Sequence, residues 1–248
     1  MAIDPAGNLY VIDQFTRLRK VAPDGKVSTV WTANGGPVVP VDGPIASATA
    51  FRFGGVATDR FGNVYVFDES TVRKISVDGI ISTYAGFCDP VIGADFQTVC
   101  AQRQVDGVGT AARFTYPRKI VSVVDGTLYV VDNNLVVRQI RPGGVVSILA
   151  GSNVDGSGDV DATGTSARFS RIDGLTVAAD GTVYLADTGN RTIRMITAAG
   201  VVTTVASNVG PSAPQPNAYL GKGFDVAYIG PKMIAVLFRT AVAKLIVP

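Results

Sequence analysis

The sequence predicts an all-β protein, a β-propeller of four-stranded antiparallel blades, and three observations predict it. The first is repetition. GNLYVID at 7–13 returns as GNVYVFD at 62–68, GTLYVVD at 126–132 and GTVYLAD at 181–187, so that Tyr10, Tyr65, Tyr129 and Tyr184 stand 55, 64 and 55 residues apart. The second is a short basic strand after each copy: RLRKV at 17–21, TVRKI at 71–75, VVRQI at 136–140 and TIRMI at 192–196. The third is the punctuation, Gly with Asp or Asn between β-branched runs and hardly any helical period. A repeat this long and this rich in strands belongs to units that bury their faces against one another.

One unit can be read from Leu175. LTVAA is a short strand, and Asp180-Gly181 is a tight turn. TVYLAD alternates as a half-buried strand should, with Tyr184 on one face and Val183 and Leu185 on the other. Thr188-Gly189-Asn190 turns the chain, RTIRMI runs back, Ala199-Gly200 turns it again, and VVTTVA closes the unit. On this pattern the blades fall at about 1–31, 56–85, 120–150, 175–206 and 225–248, one domain over residues 1–248. The fifth copy is degraded: DVAYIG, KMIAVLF and TAVAKLIV keep a basic residue, Lys244, but place Phe238 where the others have Asp13, Asp68, Asp132 and Asp187. Five repeats are recognisable, and a sixth blade has room only if the chain is a fragment. A start inside a strand fits a domain of a longer polypeptide.

ATDRFGNVYVFD at 57–68 and AADGTVYLADTGNRTIRMI at 178–196 resemble NHL repeats, a β-propeller family. The family's N-H-R at the second turn reads Asn190-Arg191-Thr192 here, without the histidine. The links DGVGTAARF at 106–114 and ATGTSARF at 162–169, with weaker forms ending at Phe51 and Tyr219, resemble a secreted bacterial and teneurin-like variety. The resemblance implies the fold; it leaves the function open, because such propellers serve many roles.

Composition narrows the chemistry. The chain has no histidine, which removes Ser-His-Asp triads and histidine-ligated zinc, and Glu69 is its one glutamate. A net charge of +2 without blocks of like charge argues against nucleic acid, and no apolar run approaches the ~20 residues of a membrane helix. Cys88 and Cys100 both lie in the stretch that lengthens the second repeat. Paired, they imply an oxidising, extracellular or periplasmic compartment; two unrelated thiols are the alternative.

The recurring aspartates, and Arg19, Arg73, Arg138 and Arg194, read as structural, since a residue required by every repeat serves the repeat's geometry. Phe51, Phe114 and Phe169 read as wedges between blades. The residues before each inner strand differ between repeats, and there Arg118 and Lys119 face Asp173 and Asp225 as a candidate site for a small polar or anionic ligand or a peptide end. Asp155, Ser157, Asp159 and Asp161 alternate in a Gly/Asp loop, a spacing suited to calcium held by Asp155, Asp159 and Asp161, although Val160 and Ser166 stand where an EF-hand has its glycine and glutamate. No other cofactor is called for. The leading expectation is a non-catalytic interaction domain for a protein or glycan partner. The alternative is a metal-dependent lactonase or esterase of the propeller type, with Asp173 and Asp225 as its carboxylates.

Overall fold

The computed structural model describes residues 1–35, 39–92, 98–101, 104–207, 225–238 and 242–247. It is an all-β propeller of five antiparallel blades with three to five strands each. Among the described residues the helical turns are two single 3-10 turns, Gly109–Ala111 and Gly164–Ser166. The chain divides into two compact units, residues 1–132 with 139–147, and residues 133–138 with 148–248.

The first unit opens with the sheet Ala2–Ile3, Leu9–Asp13, Arg17–Val21 and Val27–Thr32, each strand paired with the next. The first turn explains the motif D-x-x-G-N-x-Y. Asp4 accepts the backbone N–H groups of Ala6 and Asn8, the Asn8 side-chain amide at 2.8 Å and the Tyr10 hydroxyl at 3.3 Å. Asp59 repeats the arrangement with Phe61, Asn63 and Tyr65. Gly7 and Gly62 sit at φ +81° and +83° inside these loops, a backbone that L side chains rarely adopt.

The second blade runs Phe53–Thr58, Val64–Asp68, Thr71–Ile75 and Ile80–Ala85. Its second strand is buried at every residue, as are Leu128–Asp132 and Val183–Asp187, where alternation predicts half-burial. The alternation survives as a division between two cores. Val64 and Val66 pack with Tyr10, Leu18, Trp31 and Phe53, while Tyr65 and Phe67 pack with Phe114, Ile120, Leu128 and Val130. A strand covered on both faces is apolar throughout, so period two separates the cores rather than core from solvent.

The blades are also not uniformly four-stranded. In the link before blade two, Gly43–Pro44 pairs antiparallel with Ile80–Ile81 as a fifth, outermost strand. In the next link, Gly107–Val108 does the same to Val145–Val146 of blade three. Blade three otherwise comprises Pro117–Ser122, Leu128–Asp132, Val136–Arg141 and Val145–Gly151.

The second unit holds blade four, Ile172–Val177, Val183–Asp187, Thr192–Ile196 and Val202–Ala206, and blade five, Asp225–Gly230, Met233–Leu237 and Val242–Ile246. Thr163 bridges Val201, a single-residue version of the added outer strand. Tyr184, Ala186 and Ile193 of blade four share a core with Val226, Ile234 and Val236 of blade five. The expected link copy ending at Tyr219, and the Gly223-Phe224 approach to blade five, lie outside the described residues.

Candidate binding surface

In blades two to four, repeated charged residues fasten the links to the blades. Asp68 accepts the backbone N–H groups of Phe51 and Arg52 at 2.8 and 3.0 Å, Asp132 those of Thr115 and Tyr116, and Asp187 those of Ser170 and Arg171. Each carboxylate therefore holds the end of the incoming link over the start of the next inner strand. Arg73, fully buried, donates to Asp42 of the link at 2.8 Å, to Asp68 at 3.4 Å and to the Val41 and Thr49 carbonyls. Arg194, equally buried, joins Asp159, Asp161 and Asp187. Asp42 and Asp161 also accept from Thr83 and Thr204 on the outer strands. Burial lifts the Asp68 and Asp187 carboxyls above the ordinary aspartate value, against the opposing pull of these donors.

The aspartates of the calcium-like loop have the same employment. Asp159 and Asp161 meet Arg194, while Asp155 accepts from Arg168 and from the Ser152 hydroxyl. Among the described residues no group of three or more His, Cys, Asp or Glu is arranged to hold a metal ion. The arginine that gathers this loop lies more than thirty residues away in sequence, which is why spacing alone suggests a cation instead.

Where the inner strands of blades two, three and four begin, the register slips by a bulge: between Phe53 and Val56, Pro117 and Lys119, and Ile172 and Gly174. Within the first unit, a Cβ on Gly55 would sit 2.8 Å from the Arg118 carbonyl oxygen, so neighbouring inner strands approach too closely for a side chain. Arg118 is exposed and Lys119 half-buried on this end of the unit. Within the second unit, Gly174 plays the same part against Asp225, where a Cβ would sit 2.7 Å from the Asp225 Oδ1. Asp173 is engaged there by Arg171 Nε at 2.9 Å and by the Thr188 hydroxyl at 2.6 Å. The four predicted residues thus fall two to a unit, all at bulges or at the first residue of an inner strand.

Sequence reasoning missed the second-to-third-strand turns beside them. In the first unit Phe15 has φ +60° and is 63% exposed, and its carbonyl accepts the Phe53 N–H at 2.7 Å. A bulky side chain held in the left-handed region costs about 1 kcal/mol or more and clusters at functional surfaces. Tyr116, 48% exposed, and Arg52 stand at the same end. The available signal was the absence of glycine from the three-residue hairpin loop Gln14-Phe15-Thr16.

Of the two readings of the cysteines, the paired one holds: Cys88 and Cys100 form a disulfide, both are buried, and they pack on Phe51. The Asn190 side-chain amide nitrogen donates 2.7 Å bonds to the Gly158 carbonyl and to Asp187. A disulfide is consistent with an oxidising compartment.

Comparison with known proteins agrees with this architecture. The family model described as the Teneurin NHL domain matches residues 41–163. Mouse Teneurin-4 is 28% identical over 200 residues, covering 73% of this chain and 7% of that protein. Mouse Teneurin-3 is 29% identical over 230 residues, covering 83% and 8%. The chain therefore spans less than a tenth of the length of these curated relatives. Among solved structures, a streptogramin B lyase superposes with a TM-score of 0.55 at 13% identity, covering 98% of this chain and 66% of that one. A gluconolactonase from Xanthomonas campestris gives 0.56 at 16%, covering 96% and 68%. These structural likenesses show the fold alone. The chain is thus a β-propeller that matches the Teneurin NHL domain over residues 41–163 and is similar to teneurins over most of its length.

Proposed function

We propose that this chain is a non-catalytic interaction domain of a longer extracellular or periplasmic protein. It presents the end of the blades where the inner strands begin to a protein or glycan partner. The observation that carries this reading is the division of labour at that end. The repeated Asp68, Arg73, Asp132, Asp187 and Arg194 of blades two to four are buried and paired with the links, whereas the non-repeated Phe15, Arg52, Tyr116 and Arg118 of the first unit remain exposed. Lys119 beside them, and Asp173 and Asp225 in the second unit, are the remaining proposed contact positions.

The test is a binding screen of the immobilised domain against extracellular proteins and glycans, repeated with the variant Phe15→Ala, Arg52→Ala, Tyr116→Ala, Arg118→Ala. The expected result is a hit that the fourfold variant loses while its circular dichroism is unchanged. Calcium-dependent turnover of gluconolactone or p-nitrophenyl acetate, abolished by Asp173→Asn or Asp225→Asn, would instead establish the lactonase reading.

A further inference from the structure

The first unit contains a cleft of about 510 Å³ between blades one and two, at the end opposite the proposed contact surface. Its volume falls in the ~300–1,000 Å³ range of small-molecule sites. The walls are apolar: Val30 and Tyr10 from blade one, Ile45 from the link, Val64 and Ile75 from blade two. At the mouth, Phe61 is 65% exposed and the Arg60 guanidinium stacks on its ring at 4.6 Å from the centroid. Lys20, half-buried, lines the cleft from the blade-one side.

Blade two fills the space equivalent to this cleft with a larger side chain. Val30 of blade one occupies the position that Tyr84 holds in blade two, each preceding the outer-strand residue, Trp31 or Ala85, that pairs with Leu18 or Val72. In blade two the Tyr84 ring fills the corresponding space, packing edge-on against Tyr65 with centroids 5.1 Å apart, while its hydroxyl meets the Gly143 and Gly144 backbone. Valine reaches none of this distance, and the volume stays open.

The charge lining the opening is one-sided. Lys20 and Arg60 are cations, and the one carboxylate present, Asp4, is buried and occupied by four donors from Ala6, Asn8 and Tyr10. Its lone pairs are directed into its own loop. A bound molecule therefore meets an apolar cavity, an aromatic ring at the rim and two cations.

We propose that this cleft is a binding site for a small amphipathic anion: an aromatic or aliphatic body seated against Val30, Ile45 and Val64, with a carboxylate or sulfonate held by Lys20 and Arg60. The site is independent of the partner surface proposed above.

The probes are two dyes with one skeleton, 1-anilinonaphthalene-8-sulfonate and the uncharged N-phenyl-1-naphthylamine, titrated against the intact protein by fluorescence. The expected result is one anionic dye per chain. Lys20→Met with Arg60→Met weakens the anionic dye about tenfold and changes the neutral one less than twofold. Val30→Tyr, which copies Tyr84, removes binding of both. Absence of anionic-dye binding to the wild type, or equal binding by the Lys20→Met, Arg60→Met variant, overturns the proposal. The charge variant decides the matter even if Val30→Tyr does not fold, because Arg60 is exposed and Lys20 half-buried.

Discussion

At the residue scale, the protein separates side chains that recur from side chains that vary. Asp4 illustrates the first kind. Burial raises its carboxyl pKa, but the hydrogen bonds from Asn8, Tyr10 and Ala6 outweigh that and set it below the ordinary 3.8. A carboxylate whose folded pKa is depressed adds stability above its unfolded pKa and loses that contribution as pH falls through the folded one. Asp4→Asn should therefore cost about 1–3 kcal/mol at pH 7, from the donors it leaves poorly matched. That difference from wild type should shrink as the pH falls below about 4, the unfolded value. Urea unfolding of both proteins at pH 7 and pH 2.5 measures it, and a difference independent of pH would contradict the assignment.

At the element scale, the links are working strands. Gly43–Pro44 and Gly107–Val108 extend the outer edges of blades two and three, and Asp161 holds the corresponding link of blade four through Arg194 and Thr204. Asp161→Ala should release that edge. Hydrogen exchange should accelerate in Val202–Ala206 by tenfold or more, while Val183–Asp187, buried in the same blade, stays protected. The disulfide acts on the unfolded chain: its two cysteines are 12 residues apart, so Cys88→Ser with Cys100→Ser should lower stability by about 3 kcal/mol. A thermal melt under non-reducing conditions checks this.

These elements also mark where sequence legibility stopped. Strands, turns and the order of the blades could be read because period two and Gly-Asp punctuation are local. The extra outer strands could not, since a two-residue pairing such as Gly43–Pro44 leaves no periodicity to detect. The Asp159–Arg194 pairing was equally invisible, being an interaction between a loop and a strand that only the fold brings together.

At the scale of the whole molecule, the chain spans less than a tenth of the length of the teneurins it resembles. Its architecture was legible because the same sentence recurs four times. Its binding surface was legible only in part. Arg118, Lys119, Asp173 and Asp225 were found by asking where repeats differ, but Phe15 became visible only through its backbone, and the cleft beside Val30 only through comparison with Tyr84 in three dimensions. Non-repeated residues are where a repeat protein acquires a particular partner, and they are also the positions about which a repeat pattern says least.

The central claim is that the periodic charges hold the blades and the non-periodic side chains at the same end are available to bind. Thermal unfolding of two variants tests it most directly: Arg73→Met with Arg194→Met, and the fourfold alanine variant at Phe15, Arg52, Tyr116 and Arg118. Removing one partner of a buried ion pair costs about 3–5 kcal/mol. The arginine double variant should therefore lose about 10 °C or more in Tm, at about 2–4 °C per kcal/mol for a chain of this size. The fourfold variant should stay within about 2 °C of wild type, as surface substitutions do. A stable arginine double variant beside an unfolded fourfold variant would reverse the assignment of both sets of residues.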